Sequence, residues 1–204
     1  MTTNVSIQKF TMKDYITMEW KNKLGTTLQL AINPPNATVS DPFLWRISCA
    51  SMTVSSPFSS FVGYSRILFH LKGNSHMKIT HPDQSNNTVY ELAPHHEEGY
   101  KFFGGISTYC EISSPVTDFN VMSRDDSIKA EAKRFKINKG EISPLKLNGH
   151  CNVVFCCEGL ISLQSNSQVE HLQQEEMLKI ELPQSHSSIP SFQITGDADS
   201  VFIV

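Results

Sequence analysis

Five polar residues fall inside or beside segments that otherwise read as strands. Arg46 and Ser48 lie in FLWRISCASM (43–52), Arg66 stands at the head of ILFHL, and Asp118 and Asn120 alternate in DFNVM (118–122). Successive side chains of a strand point to opposite faces, so Asp118, Asn120 and Met122 share one face while Phe119 and Val121 share the other. By the same rule Arg46 and Ser48 lie together, opposite Trp45, Ile47 and Cys49. Of the 17 basic residues only Arg46, Arg66, Arg124 and Arg134 are arginines, and three of these have core-like neighbours. A guanidinium is a rigid, always charged fork that grips a carboxylate through two parallel hydrogen bonds. Asn120 and Ser48 beside it would fix an amide or hydroxyl. The set reads as a pocket for a small polar anion. The competing reading is a buried Arg–Asp pair, for instance with Asp118, that closes the fold and binds nothing.

Other chemistries find less support. PHHEEG (94–99) has adjacent His95 and His96, which would point apart in a strand, and its Pro and Gly flanks read as a loop. His70, His76, His150 and His171 are isolated. The five cysteines, Cys49, Cys110, Cys151, Cys156 and Cys157, are odd in number and contain no C-x-x-C, so free, mostly buried thiols are expected. No nucleophile elbow, P-loop or dinucleotide fingerprint occurs. No metal or other cofactor is expected.

The elements that must position the five residues are strands. Short runs of Val, Ile, Phe, Thr and Tyr broken by Gly, Pro, Asn and Ser predict an all-β sandwich or barrel. Weak helical periodicity at 57–61 and 169–178 predicts at most a turn or two of helix. An internal repeat aligns ILFHLKGNSHMKI (67–79) with VVFCCEGLISLQS (153–165) at a constant offset of 86, which matches Phe69 to Phe155 and Gly73 to Gly159. Each copy is an apolar strand, a Gly turn and an alternating strand, followed some 40 residues later by another apolar strand, DFNVM or SVFIV (200–204). That arrangement predicts two cupin-type (RmlC-like) β-barrels fused in one chain, a bicupin, with the first over 1–125 and the second over 126–204.

Four motifs in order also resemble the HutD/Ves family of cupin-like bacterial proteins. The family pattern W-K-N-G-G-G-x-T-R-E appears as WKNKLGTTLQ (20–29), W-R-[IL]-S as WRIS (45–48), P-F-S-x-F-x-G-x-x-R as PFSSFVGYSR (57–66) and D-F-N-x-M-x-R as DFNVMSR (118–124). The resemblance implies a bicupin whose pocket lies in the first barrel, and a regulatory link to histidine utilisation in some members, through an intermediate such as formylglutamate or urocanate. No catalytic activity is firmly attached to the family. The ligand-binding residues it transfers are Trp20, Asn22, Gly25, Thr27, Arg46, Ser48, Ser59, Arg66, Asp118 and Asn120. Lys23 and Leu24 stand where the family has glycines, and Leu28 and Gln29 where it has Arg-Glu, which points to a different ligand or none.

Two functions follow as expectations. The first is a non-catalytic binding or regulatory protein for a small carboxylate metabolite. The second is a metal-independent isomerase or lyase with Asp118 or a His as general base, disfavoured because an adjacent Arg would lower the pKa of Asp118. A net charge of −3 without Lys/Arg runs gives no footprint for nucleic acid or anionic membrane. No stretch approaches the roughly 18 apolar residues of a membrane span, and the N-terminus has no signal pattern, so a cytoplasmic location is expected. A β-rich surface also allows edges to pair into a homodimer.

Overall fold

The computed structural model describes residues 5–20, 22–82, 89–165, 168–183 and 191–204. Every regular element among them is a strand, and no helix is long and apolar enough to cross a membrane. Backbone contacts divide the chain into a central unit, Tyr15–Ala132, and a terminal unit made of Met1–Asp14 and Lys133–Val204. These limits differ from 1–125 and 126–204 because the strand β1 (Ser6–Phe10) is hydrogen-bonded, antiparallel, onto residues 177–181.

In the central unit β2 (Ile16–Glu19), β3 (Gly25–Asn33), β4 (Trp45–Met52), β5 (Ser56–Pro57), β6 (Tyr64–Lys72), β7 (Met77–Thr80), β8 (Val89–Leu92), β9 (Tyr100–Phe103), β10 (Tyr109–Glu111) and β11 (Val116–Arg124) form two sheets. One runs β2-β3-β4-β11-β6-β9 and the other β5-β10-β7-β8. Met52, Leu68, Met77, Ile79, Leu92, Cys110 and Val116 fill the core that draws on both. On the central strands β4, β6 and β11 the opposite face is buried as well, by Ile47, Ile67, Phe69 and Phe119.

The terminal unit adds β12 (Arg134–Ile137), β13 (Ile142–Leu145), β14 (Cys151–Glu158), β15 (Leu160–Ser165), β16 (Gln168–Gln173), β17 (Met177–Glu181), β18 (Phe192–Gly196) and β19 (Ser200–Ile203). Its sheets run β1-β17-β14-β19-β12 and β13-β18-β15-β16 around a core that includes Val154, Ile161, Leu163, Leu178, Ile194 and Phe202. Adding eight to each label of β4-β11-β6-β9 and β5-β10-β7-β8 reproduces these orders, so the repeat read in the sequence is a repeat of topology. Gly73 (φ 112°) and Gly159 (φ 83°) play the same part in each copy. A Cβ on Gly73 would press on Pro115 O and Val116 at the start of β11, and one on Gly159 on Asp199 O and Ser200 at the start of β19.

Two expectations need correction. The sheets are open ladders, not closed barrels. The segment 169–178 is not helical: β16 and β17 are joined by a turn at 174–175, with Glu175 at φ 67°, and 57–61 holds only the end of β5. Pairing with β15 and with β14 outweighs the weak local helical signal there. All five cysteines are free; Cys151 alone is not buried.

Candidate functional site

Register places the polar residues in rows across the large sheet of the central unit. Met122 on β11 lies between Arg46 on β4 and Arg66 on β6, Asn120 between Ser48 and Leu68, and Asp118 between Ala50 and His70. Leu68 and Val116, at matching parity, belong to the core, so this is the interior face. Phe119 points to the other face with Phe69, their ring centroids 6.3 Å apart. Arg46, Ser48, Arg66, His70, Asp118 and Asn120 are all buried, with Asp118 only 2% exposed.

Each guanidinium is held by a neutral amide. Arg46 Nε donates to Gln29 Oε1 at 2.8 Å, and Arg66 Nε donates to Asn120 Oδ1 at 3.4 Å. The Arg66 guanidinium also lies over the rings of Phe58 and Phe102, 4.9 and 5.1 Å from their centroids. Such contacts hold the cation by its faces and leave its Nη edge for in-plane hydrogen bonds. Asp118 Oδ1 is buried and has no hydrogen-bond partner among the described residues.

Burial raises the Asp118 carboxyl to about 7, although the charges of Arg66 and Arg46 and the Ala50 backbone N–H pull it down. The sequence argument that a neighbouring Arg lowers this pKa holds for the two arginines, but burial outweighs them and the net shift is upward. Removing a carboxylate from water costs more here than two guanidinium groups return without a direct ion pair. Burial likewise brings Arg66 down to about 10, with Asp118 opposing and Arg46 reinforcing, and pushes the Cys110 thiol up to about 12, with Asp118 adding to it. Arg46 is lowered by burial and raised by Asp118. Burial thus opposes ionisation of Asp118 on a face that already holds two guanidinium groups.

The other transferred residues do not join this cluster. Trp20 Nε1 donates to Thr27 Oγ1 at 2.8 Å, and Asn22 Oδ1 accepts the Leu24 N–H at 3.1 Å. Gly25 must be glycine because a Cβ would strike Ser51 O and come within 3.1 Å of the Trp20 ring. These four residues build the β2–β3 hairpin; Lys21, in the same motif, lies outside the described residues. Ser59 is exposed.

Three residues of the site went unselected in the sequence. Gln29 registered only as a departure from the family pattern, and His70 only as an isolated histidine, although it continues the alternation Arg66, Leu68, His70. Its Nε2 lies 2.9 Å from Ser75 O, a carbonyl, so Nε2 carries the hydrogen. His81 is fixed in the other tautomer. Its Nδ1 faces Ser107 O at 3.3 Å, so Nδ1–H donates and Nε2 accepts from Tyr100 OH at 2.8 Å. Tyr100 stacks between Tyr90 and Phe102.

A second polar group occurs in the terminal unit. Ser162 Oγ donates to Asp197 Oδ2 and lies 2.7 Å from His171 Nδ1. The residue types are those of an acyl-transfer triad but the order is not. There the imidazole sits between hydroxyl and carboxylate, whereas here the hydroxyl sits between the other two and hands its proton to a carboxylate. His95 and His96 are exposed at a turn. Among the described residues no three His, Cys, Asp or Glu side chains form a metal-ligand set.

Two units of paired antiparallel sheets with one repeated topology give the chain a cupin-type fold. The profile of the HutD family matches residues 12–199, and the chain belongs to that family. A conserved protein of unknown function from Pseudomonas aeruginosa PAO1 superposes with a TM-score of 0.83 at 20% identity, over 97% of this chain and 96% of the other. HutD from Pseudomonas fluorescens SBW25 gives 0.72 at 23% identity, over 97% of both chains. The bacterial pirin YhhW from Escherichia coli, in complex with nickel(II), gives 0.66 at 13% identity, also over 97% of both. At these identities the likeness is one of fold.

Proposed function

We propose that the protein binds a small carboxylate metabolite without transforming it, and that the occupied state serves a regulatory role. One observation carries this reading. Two guanidinium groups and a single carboxylate are buried on one interior face, and each guanidinium uses its Nε–H on a neutral amide. A buried excess of positive charge is costly by itself and is offset by an anion that makes forked hydrogen bonds. In this reading each unit is one cupin-type half of the chain and the pocket belongs to the central unit. The link to histidine degradation rests on family resemblance, with formylglutamate and urocanate as candidate ligands.

The test is a thermal-shift and titration series with histidine, urocanate, imidazolone propionate, formiminoglutamate, formylglutamate, glutamate, acetate and formate. A ligand that binds only the native state raises Tm by mass action. The expected result is a rise for at least one acid that disappears in Arg46→Ala and Arg66→Ala variants of unchanged circular dichroism. A flat response to every acid refutes the reading.

A second reading gains from one feature. Asp118 combines a bare buried Oδ1 with a pKa of about 7, the condition that a general base of an isomerase or lyase must meet. Turnover of a bound acid, abolished in Asp118→Asn with binding retained, would favour it.

A further inference from the structure

We propose that this site selects acids bearing a hydrogen-bond donor, a hydroxyl or an N–H, beside the carboxylate, and that Asp118 Oδ1 is the acceptor that reads the donor. The inference rests on the carboxylate-binding reading above and narrows its ligand class. Asp118 Oδ1 is buried without a partner among the described residues, on the same face as Arg46 and Arg66. An acceptor left bare in a low-dielectric interior is unfavourable, and a ligand donor placed against it removes that cost.

Charge narrows the class further. With Asp118 ionised, Arg46 and Arg66 leave one net positive charge, which a monoanionic acid cancels. Of the other titratable groups facing this cluster, the Cys110 thiol on β10 and the Tyr100 phenol on β9 are both raised and stay neutral, while His70 donates from Nε2 to Ser75 O. A plain acid sets its own carboxylate beside that of Asp118 with nothing between them. An acid with an adjacent donor fills the gap, because the donor bridges to Oδ1 while the carboxylate takes the guanidinium edges. A dianion would require Asp118 to be protonated. Asp118 is therefore a specificity residue, while the arginines supply the affinity.

The experiment compares matched acids on the full chain at pH 8, where Asp118 is mostly ionised. Affinities are measured by titration calorimetry for glycolate against acetate and for lactate against propionate. The expected result is at least tenfold tighter binding of the hydroxy acid in each pair. In Asp118→Val, which removes the acceptor and suits a strand, the ratio should fall to about one while the plain acids still bind. Equal affinities within both pairs on the unaltered protein overturn the donor-reading role but leave carboxylate binding standing. Failure of all four acids to bind overturns the donor-reading role, while the carboxylate-binding reading is decided by the thermal-shift series above. The comparison on the unaltered chain decides the matter even if the variant does not fold.

Discussion

Arg46 donates its Nε–H to Gln29 at 2.8 Å, so a buried cation leans on a neutral amide at the position where the HutD/Ves pattern has Glu. Replacing the amide with a carboxylate places a negative charge against Arg46 and removes the excess positive charge of the face. Gln29→Glu is expected to weaken carboxylate binding by tenfold or more, an effect of about 1.4 kcal/mol or larger. Titration with the best acid of the series checks this. Unchanged affinity would mean that Arg46 does not contact the ligand.

Asp118 has a testable pH signature. Its folded pKa of about 7 lies above the unfolded value of 3.8, so the native state holds a proton that the unfolded chain releases. The sign follows from linkage: this residue costs no stability below pH 3.8, and its cost grows as the pH rises and is complete above about 7. The total is roughly a few kcal/mol by the relation of about 1.4 kcal/mol per pKa unit. Asp118→Asn removes that dependence. The difference in Tm between variant and natural protein should therefore shift in favour of the variant from pH 4 to pH 8, as read by calorimetry. A difference constant across that range would place the folded pKa near its ordinary value.

Arg66 is held over Phe58 and Phe102, which predicts that its shape matters beyond its charge. Arg66→Lys keeps the charge but loses the fork and the ring stacking. Carboxylate affinity should fall at least tenfold, and Phe58→Leu should cost about 0.5–2 kcal/mol of the same affinity through the cation–π contact. Equal binding by Arg66→Lys would reduce the residue to a point charge.

Lys23 adopts φ 58°, the left-handed region, at a place where the family pattern has glycine. A non-glycine residue there carries about 1–2 kcal/mol of backbone strain, part of which glycine gives back through its freer unfolded chain. Lys23→Gly should raise the stability of the protein by about 1 kcal/mol, or a few degrees in Tm. A fall in Tm would show that the Lys23 side chain makes a compensating contact.

Much of the site could be read from the sequence because a strand's period of two is rigid. The alternation in DFNVM and WRISCASM put Asp118, Asn120, Arg46 and Ser48 on common faces, and register brings those faces into adjacent rows. The repeat was equally legible, since Gly73 and Gly159 mark turns that no side chain fits. What escaped depends on partners distant in the chain. Gln29 joins Arg46 only through the pairing of β3 with β4, and β1 finds its neighbour only at the far end of the sequence. The direction of the Asp118 pKa shift escaped because it is a balance of burial against two charges, and burial is a property of the assembled sheets. Trp20, Asn22, Gly25 and Thr27 share a motif with one another for the sake of a hairpin, so their spacing carried no information about the Arg–Asp cluster.

The pairing of β1 with β17 also sets a timetable. Phe10 is made long before its partner Met177, and at about 5–20 residues per second the ribosome takes roughly 10 to 30 s to supply that partner. Throughout that interval the segment SIQKF waits as an unpaired strand while the central unit, contiguous from Tyr15 to Ala132, has all its own residues available to fold. Ser6, Gln8 and Lys9 are the exposed positions of β1 in the finished protein, and the same polar residues keep the waiting strand soluble. β1 is thus made well before the strand it pairs with, and the terminal unit completes its sheet only once β19 has been made.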